Sequence, residues 1–221
     1  RRRGDAVESE IPHCIESTMT TIAFILVAYL IGSLSFAVIV SRLMRLQDPR
    51  TFGSKNPGAT NVLRSGKKSA AALTLLGDGL KGWLAVMLAH WLAPRYGLAE
   101  PEIAMAAVAV LFGHIWPIFF GFKGGKGVAT GVGILAAFHP LLALGAVLIW
   151  IAVAVTTKIS SLAAIVASFF APFLAYWLLG GGVYFGTTVV IALLLIQRHK
   201  KNILDLLAGT ESSIGNKPPM P

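Results

Sequence analysis

Long apolar runs alternate with short polar ones along this chain. The runs fall at about 20–41, 69–93, 103–120, 126–138, 140–157, 159–179 and 183–198. A helix needs about 20 residues to cross a hydrocarbon core of about 30 Å. Most of the runs therefore read as membrane spans. The run at 126–138 is short for a full crossing and reads as a partial span enclosed by its neighbours. His139-Pro140 predicts a break, because proline pushes the residue before it out of helical geometry. One helix over 126–157 would also be too long for the bilayer. The expected fold class is all-α: a polytopic membrane protein of seven spanning or partly spanning helices.

Composition agrees with the pattern. The 221 residues are 55% hydrophobic and only 13% charged, about half the roughly 25% of a soluble domain. That is too little charge to coat a soluble surface. The net charge of +9 would suggest nucleic acid in a soluble protein. Here its position matters more, and no nucleic acid is implied. With seven spans and the N-terminus outside, 14 of the 19 basic residues fall in cytoplasmic segments, as the positive-inside rule requires. An even span count would move the basic tail from Arg198 outward and weaken the asymmetry. The C-terminus is thus expected in the cytoplasm. Residues 1–18 are polar, lack the layout of a signal peptide, and read as an extension without functional role. Residues 19–211 read as one membrane-embedded domain and 212–221 as a short polar tail. The single cysteine, Cys14, has no partner for a disulfide and no metal-ligand spacing.

Chemistry concentrates in three polar segments that this topology places on one side. In the first, Gly53-Ser54-Lys55-Asn56-Pro57-Gly58-Ala59-Thr60-Asn61-Val62-Leu63-Arg64, Asn56 and Pro57 predict a helix start, with Asn as cap. Free N–H groups there favour an anion, Ser54 adds a hydroxyl and Arg64 a guanidinium fork. An ordinary basic loop with a capped helix explains the segment about as well. The second, Gly121-Phe122-Lys123-Gly124-Gly125-Lys126-Gly127-Val128-Ala129-Thr130, interleaves four glycines with two lysines before an apolar helix. Glycines let successive N–H groups converge on an anion. The spacing is not that of a Walker A loop and no Ser or Thr follows the lysine, so ATP is not implied. The third, Arg198-His199-Lys200-Lys201-Asn202-Ile203, puts His199 and Asn202 on one helix face, with Glu211 further on. Its plainer reading is a basic tail on the lipid surface. Ser160 and Ser161, after Lys158, join the same side. Inside the second run, Asp78 and Lys81 share a face. Such a pair is either functional or a neutral packing device. His114 reads mainly as a packed, hydrogen-bonded residue.

Two anion-binding loops beside a lipid-accessible bundle suggest one phosphorylated polar substrate and one lipidic substrate. These motifs, with His114-Ile115-Trp116-Pro117, resemble the bacterial acyl-phosphate:glycerol-3-phosphate acyltransferase family over about residues 19–211. Lys55 stands where that family usually has a small residue, often glycine. The resemblance implies a seven-span protein of the bacterial inner membrane with its active site at the cytoplasmic face. It implies acyl transfer from a long-chain acyl phosphate to the 1-hydroxyl of glycerol 3-phosphate, giving lysophosphatidic acid and phosphate for phospholipid synthesis. Ser54, Arg64, Lys123, His199 and Asn202 would hold glycerol 3-phosphate, with Asn56 beside them and Ser161 a weaker member. Gly124, Gly125, Lys126, Gly127, Val128 and Thr130 would hold the acyl phosphate. His199, Lys123 and Arg64 would carry the catalytic step. An acyl phosphate is already activated, so no metal, ATP or other cofactor is implied. A soluble enzyme supplying acyl phosphate is a possible partner. None of the five histidines has an aspartate five residues on, so the dyad of the other acyltransferase class is missing. His199 or a substrate phosphate oxygen remains as proton acceptor. The rival reading is a transporter or permease for phosphorylated anions.

Overall fold

The structure, a computed structural model, describes residues 2–214, with side chains from residue 17 onward. Most of the expected N-terminal extension thus lies outside the described side chains. The elements run α1 (Arg2–Gly32), α2 (Phe36–Leu43), α3 (Ala59–Leu63), α4 (Lys68–Leu92), α5 (Glu100–Ile115), α6 (Val128–Phe138), α7 (Pro140–Thr157), α8 (Ser160–Leu179), α9 (Val183–Arg198) and α10 (Lys200–Leu207). Short 3-10 turns at Ala93–Tyr96 and Ile118–Phe120 extend α4 and α5. No strand occurs among the described residues.

Every apolar run is helical. Among the described residues, four helical stretches are long and apolar enough to cross a membrane: Lys68–Tyr96, Glu100–Phe120, Pro140–Thr157 and Ser160–Leu179. The run read as one span at 20–41 is instead a broken pair, α1 and α2, bent by 41°. Counting it as one span makes five; α6 and α9 are shorter apolar helices. The break at 33–35 survives among apolar helices because its polar groups find partners. Ser33 Oγ donates to Tyr29 O at 2.9 Å, and Lys81 Nζ donates to Leu34 O at 2.6 Å.

The break expected at His139 is present. His139 is extended (φ −162°, ψ 127°), ends α6 and caps α7, its Nδ1 accepting from Leu141 N–H at 3.2 Å. At 1.5 Å per residue, the 11 residues of α6 span only about 16 Å. That is about half a hydrocarbon core. The short helix survives by close packing on α4. A Cβ on Gly133 would overlap Gly79 O, and one on Gly82 would overlap Thr130 O. Small residues that let helix backbones touch are the main packing device where water supplies no driving force. Glycines 32 and 113 join α1 to α5 in the same way. Large side chains such as Leu193, Trp91, Phe173 and Trp177 remain exposed on the outside, which suits a lipid-facing surface.

Candidate active site

Segments far apart in sequence line one cavity of about 1340 Å³ at one end of the bundle. The loop before α3 supplies one wall. Asn61, buried at the centre of α3, acts as its staple. Its Oδ1 accepts from Ser54 N–H at 3.0 Å, and its Nδ2 donates to Pro49 O at 2.7 Å and Phe52 O at 3.2 Å. Gly53 (φ +55°) lies so close to this amide that a Cβ would overlap Asn61 Oδ1. Lys55 is also left-handed (φ +54°), a conformation that costs a side-chain-bearing residue about 1–2 kcal/mol. A small residue would suit the position better.

The helix does not start where the sequence suggests. Asn56 is not its cap. Gly58 N–H donates to Asn56 O at 3.0 Å, folding Asn56 and Pro57 into a turn, and Gly58 caps α3 with no side-chain bond. With five residues, α3 has little dipole to offer an anion. Asn56 and Ser54 still line the cavity, as does Arg64 at the end of α3.

The glycine-rich loop supplies the second wall. Its turns use left-handed Gly121, Phe122 and Gly127. Gly124 and Gly125 press on His114: a Cβ on the first would overlap its carbonyl oxygen and on the second its Nε2. Gly125 N–H donates to that carbonyl at 3.2 Å. Gly127 then caps α6, leaving the N–H groups of the first α6 turn without helical partners. Arg50 braces the loops, donating to Phe120 O at 3.3 Å while paired to Asp48 at 2.7 Å.

A chain of hydrogen bonds forms the third wall. Lys126 Nζ donates to Asn202 Oδ1 at 2.6 Å, Asn202 Nδ2 to Glu211 Oε1 at 2.8 Å, and Ser161 Oγ to the same oxygen at 2.8 Å. Lys126 can only donate and the carboxylate only accept, so the amide orientation of Asn202 is fixed. Arg64 Nη2 donates to Ser212 Oγ at 2.6 Å, and Ile214 N–H to Lys158 O at 2.7 Å. The segment 210–214 thus crosses the cavity mouth. The expected polar tail begins inside this wall, and its residues 215–221 lie outside the described ones.

Burial and the nearby Arg198, Arg64 and Lys201 charges lower the Lys126 pKa to about 8, against the opposing pull of Glu211. His199, almost fully buried between α9 and α10, is held at about 4, chiefly by burial and then by the Lys126 charge. It is neutral at pH 7. Its Nδ1 lies 2.7 Å from Leu195 O. A carbonyl only accepts, so Nδ1 carries the proton and Nε2 is the acceptor nitrogen.

The structure therefore brings Ser54, Asn56, Arg64, Gly124, Lys126, Gly127, Val128, Ser161, His199 and Asn202 to one wall system. It does not bring Lys123, Gly125 or Thr130 there. Lys123 is exposed, Gly125 is buried against His114, and Thr130 is fully buried. Glu211 and Ser212 line the cavity without having been assigned a role from the sequence. For the first, its place shortly after the basic segment 198–201 was the available signal. The same cavity is lined by apolar side chains of α4, α6, α7 and α8, among them Leu76, Leu80, Trp83, Leu135, Trp150 and Ile151. One continuous space thus offers a cationic, N–H-rich region and an apolar one.

Comparison with known proteins agrees with this dual character. Residues 22–209 match the family model described as glycerol-3-phosphate acyltransferase. A glycerol-3-phosphate acyltransferase of Chromobacterium violaceum is 64% identical over 201 residues, covering 90% of this chain and 98% of that protein. One from Laribacter hongkongensis is 60% identical over 199 residues, with the same two coverages. The crystal structure of the integral membrane glycerol 3-phosphate acyltransferase PlsY (YgiH), in its glycerol 3-phosphate form, superposes with a TM-score of 0.82 at 35% identity. It covers 89% of this chain and 96% of that one. Its lysophosphatidic acid form superposes with a TM-score of 0.80 at 34% identity. On the sequence match and the shared helical fold, the chain belongs to the glycerol-3-phosphate acyltransferase family of integral membrane enzymes.

Proposed function

We propose that this enzyme transfers a fatty acyl group from acyl phosphate to the 1-hydroxyl of glycerol 3-phosphate, releasing lysophosphatidic acid and phosphate. The observation that carries the reading is the joint lining of one cavity by Arg64, Lys126, His199 and the start of α6 on one side and by apolar side chains of four helices on the other. One region suits two phosphates and the other an acyl tail. The related structures with glycerol 3-phosphate and lysophosphatidic acid support the acceptor and the product. The permease alternative gives way, because the family is one of acyltransferases.

In the proposed reaction the acceptor hydroxyl oxygen attacks the acyl carbon. The bond from that carbon to the phosphate oxygen breaks and phosphate leaves with the electron pair. His199 Nε2 takes the hydroxyl proton. Its low pKa makes it a weak acceptor in the free enzyme, but a phosphate dianion bound beside it would raise that value. Lys126 and the free N–H groups of the first α6 turn stabilise charge on the leaving phosphate. Arg64, Ser54 and Asn202 orient the acceptor, which supplies much of the rate through proximity. Lys123 is assigned to capture of anions at the surface and not to the reacting atoms, since it stands off the cavity wall.

The proposed setting is the bacterial inner membrane, with seven crossings, the N-terminus outside and the cavity at the cytoplasmic face. The distribution of 14 of 19 basic residues supports it. Residues 19–214 form the working unit in this reading, and a soluble enzyme supplies the acyl phosphate.

The test is phosphate release by the purified protein in detergent, given palmitoyl phosphate with and without glycerol 3-phosphate. Release that requires the acceptor, with equimolar lysophosphatidic acid, is expected. Acceptor-independent release, or none from a folded sample, overturns the reading. His199→Gln decides the proton acceptor: near-complete loss of kcat marks a base, worth about 10²–10⁴-fold. A modest loss, mainly in KM, marks a binding residue.

A further inference from the structure

Behind the glycine-rich loop, within the apolar body, lies a cluster that the proposed chemistry does not use. Asp78 and Lys81 of α4 are almost fully buried, with Nζ 2.9 Å from Oδ1. His114 Nδ1 lies 3.6 Å from the same Oδ1 and 3.1 Å from Thr130 Oγ1. The Thr130 hydroxyl has one proton and gives it to Asp78 O at 2.9 Å. It therefore accepts from His114, whose Nδ1 must carry a proton. Asp78 Oδ1 is fully shielded and makes no bond of hydrogen-bond geometry. Asp78 and His114 border the same cavity, but with this oxygen shielded the carboxylate acts through its neighbours.

The neighbours lead to the loop. His114 accepts from Gly125 N–H through its carbonyl, and Gly124 and Gly125 rest on the residue so closely that neither could carry a Cβ. Thr130 ties the first turn of α6, the helix that loop enters, to both His114 and α4. Lys81 anchors the other end by donating to Leu34 O in the break between α1 and α2. A bare neutralising pair would need none of these links to 124–130.

We propose that Asp78, Lys81 and His114 are positioning residues that fix the 124–127 loop, and thereby the affinity for the phosphate of the acyl donor. The proposal rests on the reading that this loop holds that phosphate. Without the carboxylate, His114 loses the charge that orients its ring, and the floor beneath Gly125 shifts. Such a shift acts on donor binding and leaves acceptor binding alone.

The test measures KM separately for palmitoyl phosphate and glycerol 3-phosphate. Asp78→Asn with Lys81→Met removes both charges together, so no buried charge is left unpaired. The expected result is a folded enzyme whose donor KM rises at least tenfold while acceptor KM stays within twofold. A donor KM within twofold of the parent overturns the proposal and leaves a packing pair. Thr130→Val, which keeps the ion pair, reads the same link if the double variant does not insert, and an unchanged donor KM there is equally fatal. Lys126→Gln is the control for the underlying reading. If it too leaves donor KM unchanged, the loop does not hold the donor. If it raises donor KM while the other variants do not, the positioning network alone is wrong.

Discussion

Two charged clusters meet at the glycine-rich loop, and they differ in their access to water. At the rim, Lys126, Asn202, Glu211 and Ser161 are joined by flexible side chains at the mouth of a cavity. Under the loop, Asp78, Lys81 and His114 are almost fully buried among α4, α5 and α6, with Asp78 and His114 bordering the same cavity. Charges at a wet rim can exchange partners, because water covers the cost of an unpaired state. Enclosed charges cannot, because an isolated ion there costs several kcal/mol. The rim suits ligands that come and go; the enclosed cluster suits a fixed geometry. The loop between them joins a mobile chemistry to a rigid base.

Breaking each side separates the two roles. The largest effect on turnover is expected from Lys126→Ala, which removes the loop cation that lines the cavity. kcat/KM should fall about 10²–10³-fold in a phosphate-release assay, with little change in thermal unfolding. Asp78→Ala should act chiefly on stability, with the donor KM rising as well. It strands the Lys81 charge, which costs about 3–5 kcal/mol of stability, read as a lowered unfolding temperature in detergent. If both variants lose activity alone, the rim and the base are not distinct.

Two milder perturbations sharpen the rim. Lys126 titrates near 8, so it is cationic at neutral pH and loses its charge as pH rises through that value. kcat/KM for the acyl donor should decline above about pH 8, a limb absent from Lys126→Arg. The smallest effect belongs to Glu211→Gln. The carboxylate raises the Lys126 pKa, whereas Arg198, Arg64 and Lys201 lower it. Removing it should move the alkaline limb to lower pH and change neutral-pH activity by no more than about fivefold, the scale of a rim ion pair. A limb that stays in place would show that Glu211 does not sense Lys126.

Much of this was legible in the sequence where the signal is local. Helices at 69–93, 140–157, 159–179 and 183–198 were readable within about one residue of α4, α7, α8 and α9, because length and apolarity decide them. The break at His139-Pro140 was readable because proline acts on its immediate neighbour. The break at 33–35 was not. No proline marks it, and it depends on Lys81 reaching a freed carbonyl from another helix. The start of α3 was misplaced for a similar reason. Asn56-Pro57 has the right local chemistry, but the turn in which Gly58 N–H donates to Asn56 O uses those residues differently.

The site divides along the same line. Residue types at short spacing were enough to single out 53–64, 121–130 and 198–202, since glycines, lysines and capping residues mark anion sites locally. Membership of the cavity wall was not a local property. Lys123 and Lys126 are three residues apart in one motif, yet only Lys126 turns inward. Thr130 belongs to the loop by sequence and to the buried cluster by position. The roles of Glu211 and Ser212 emerged only when the chain after α10 folded back over the mouth. The amino-acid sequence alone determined that this chain is a helical membrane protein with glycine- and lysine-rich segments at one face as candidate anion sites, because burial in lipid and backbone geometry act residue by residue. Only the tertiary structure decided which of those polar groups share a cavity and which support it from beneath, because that depends on how closely glycine-faced helices approach.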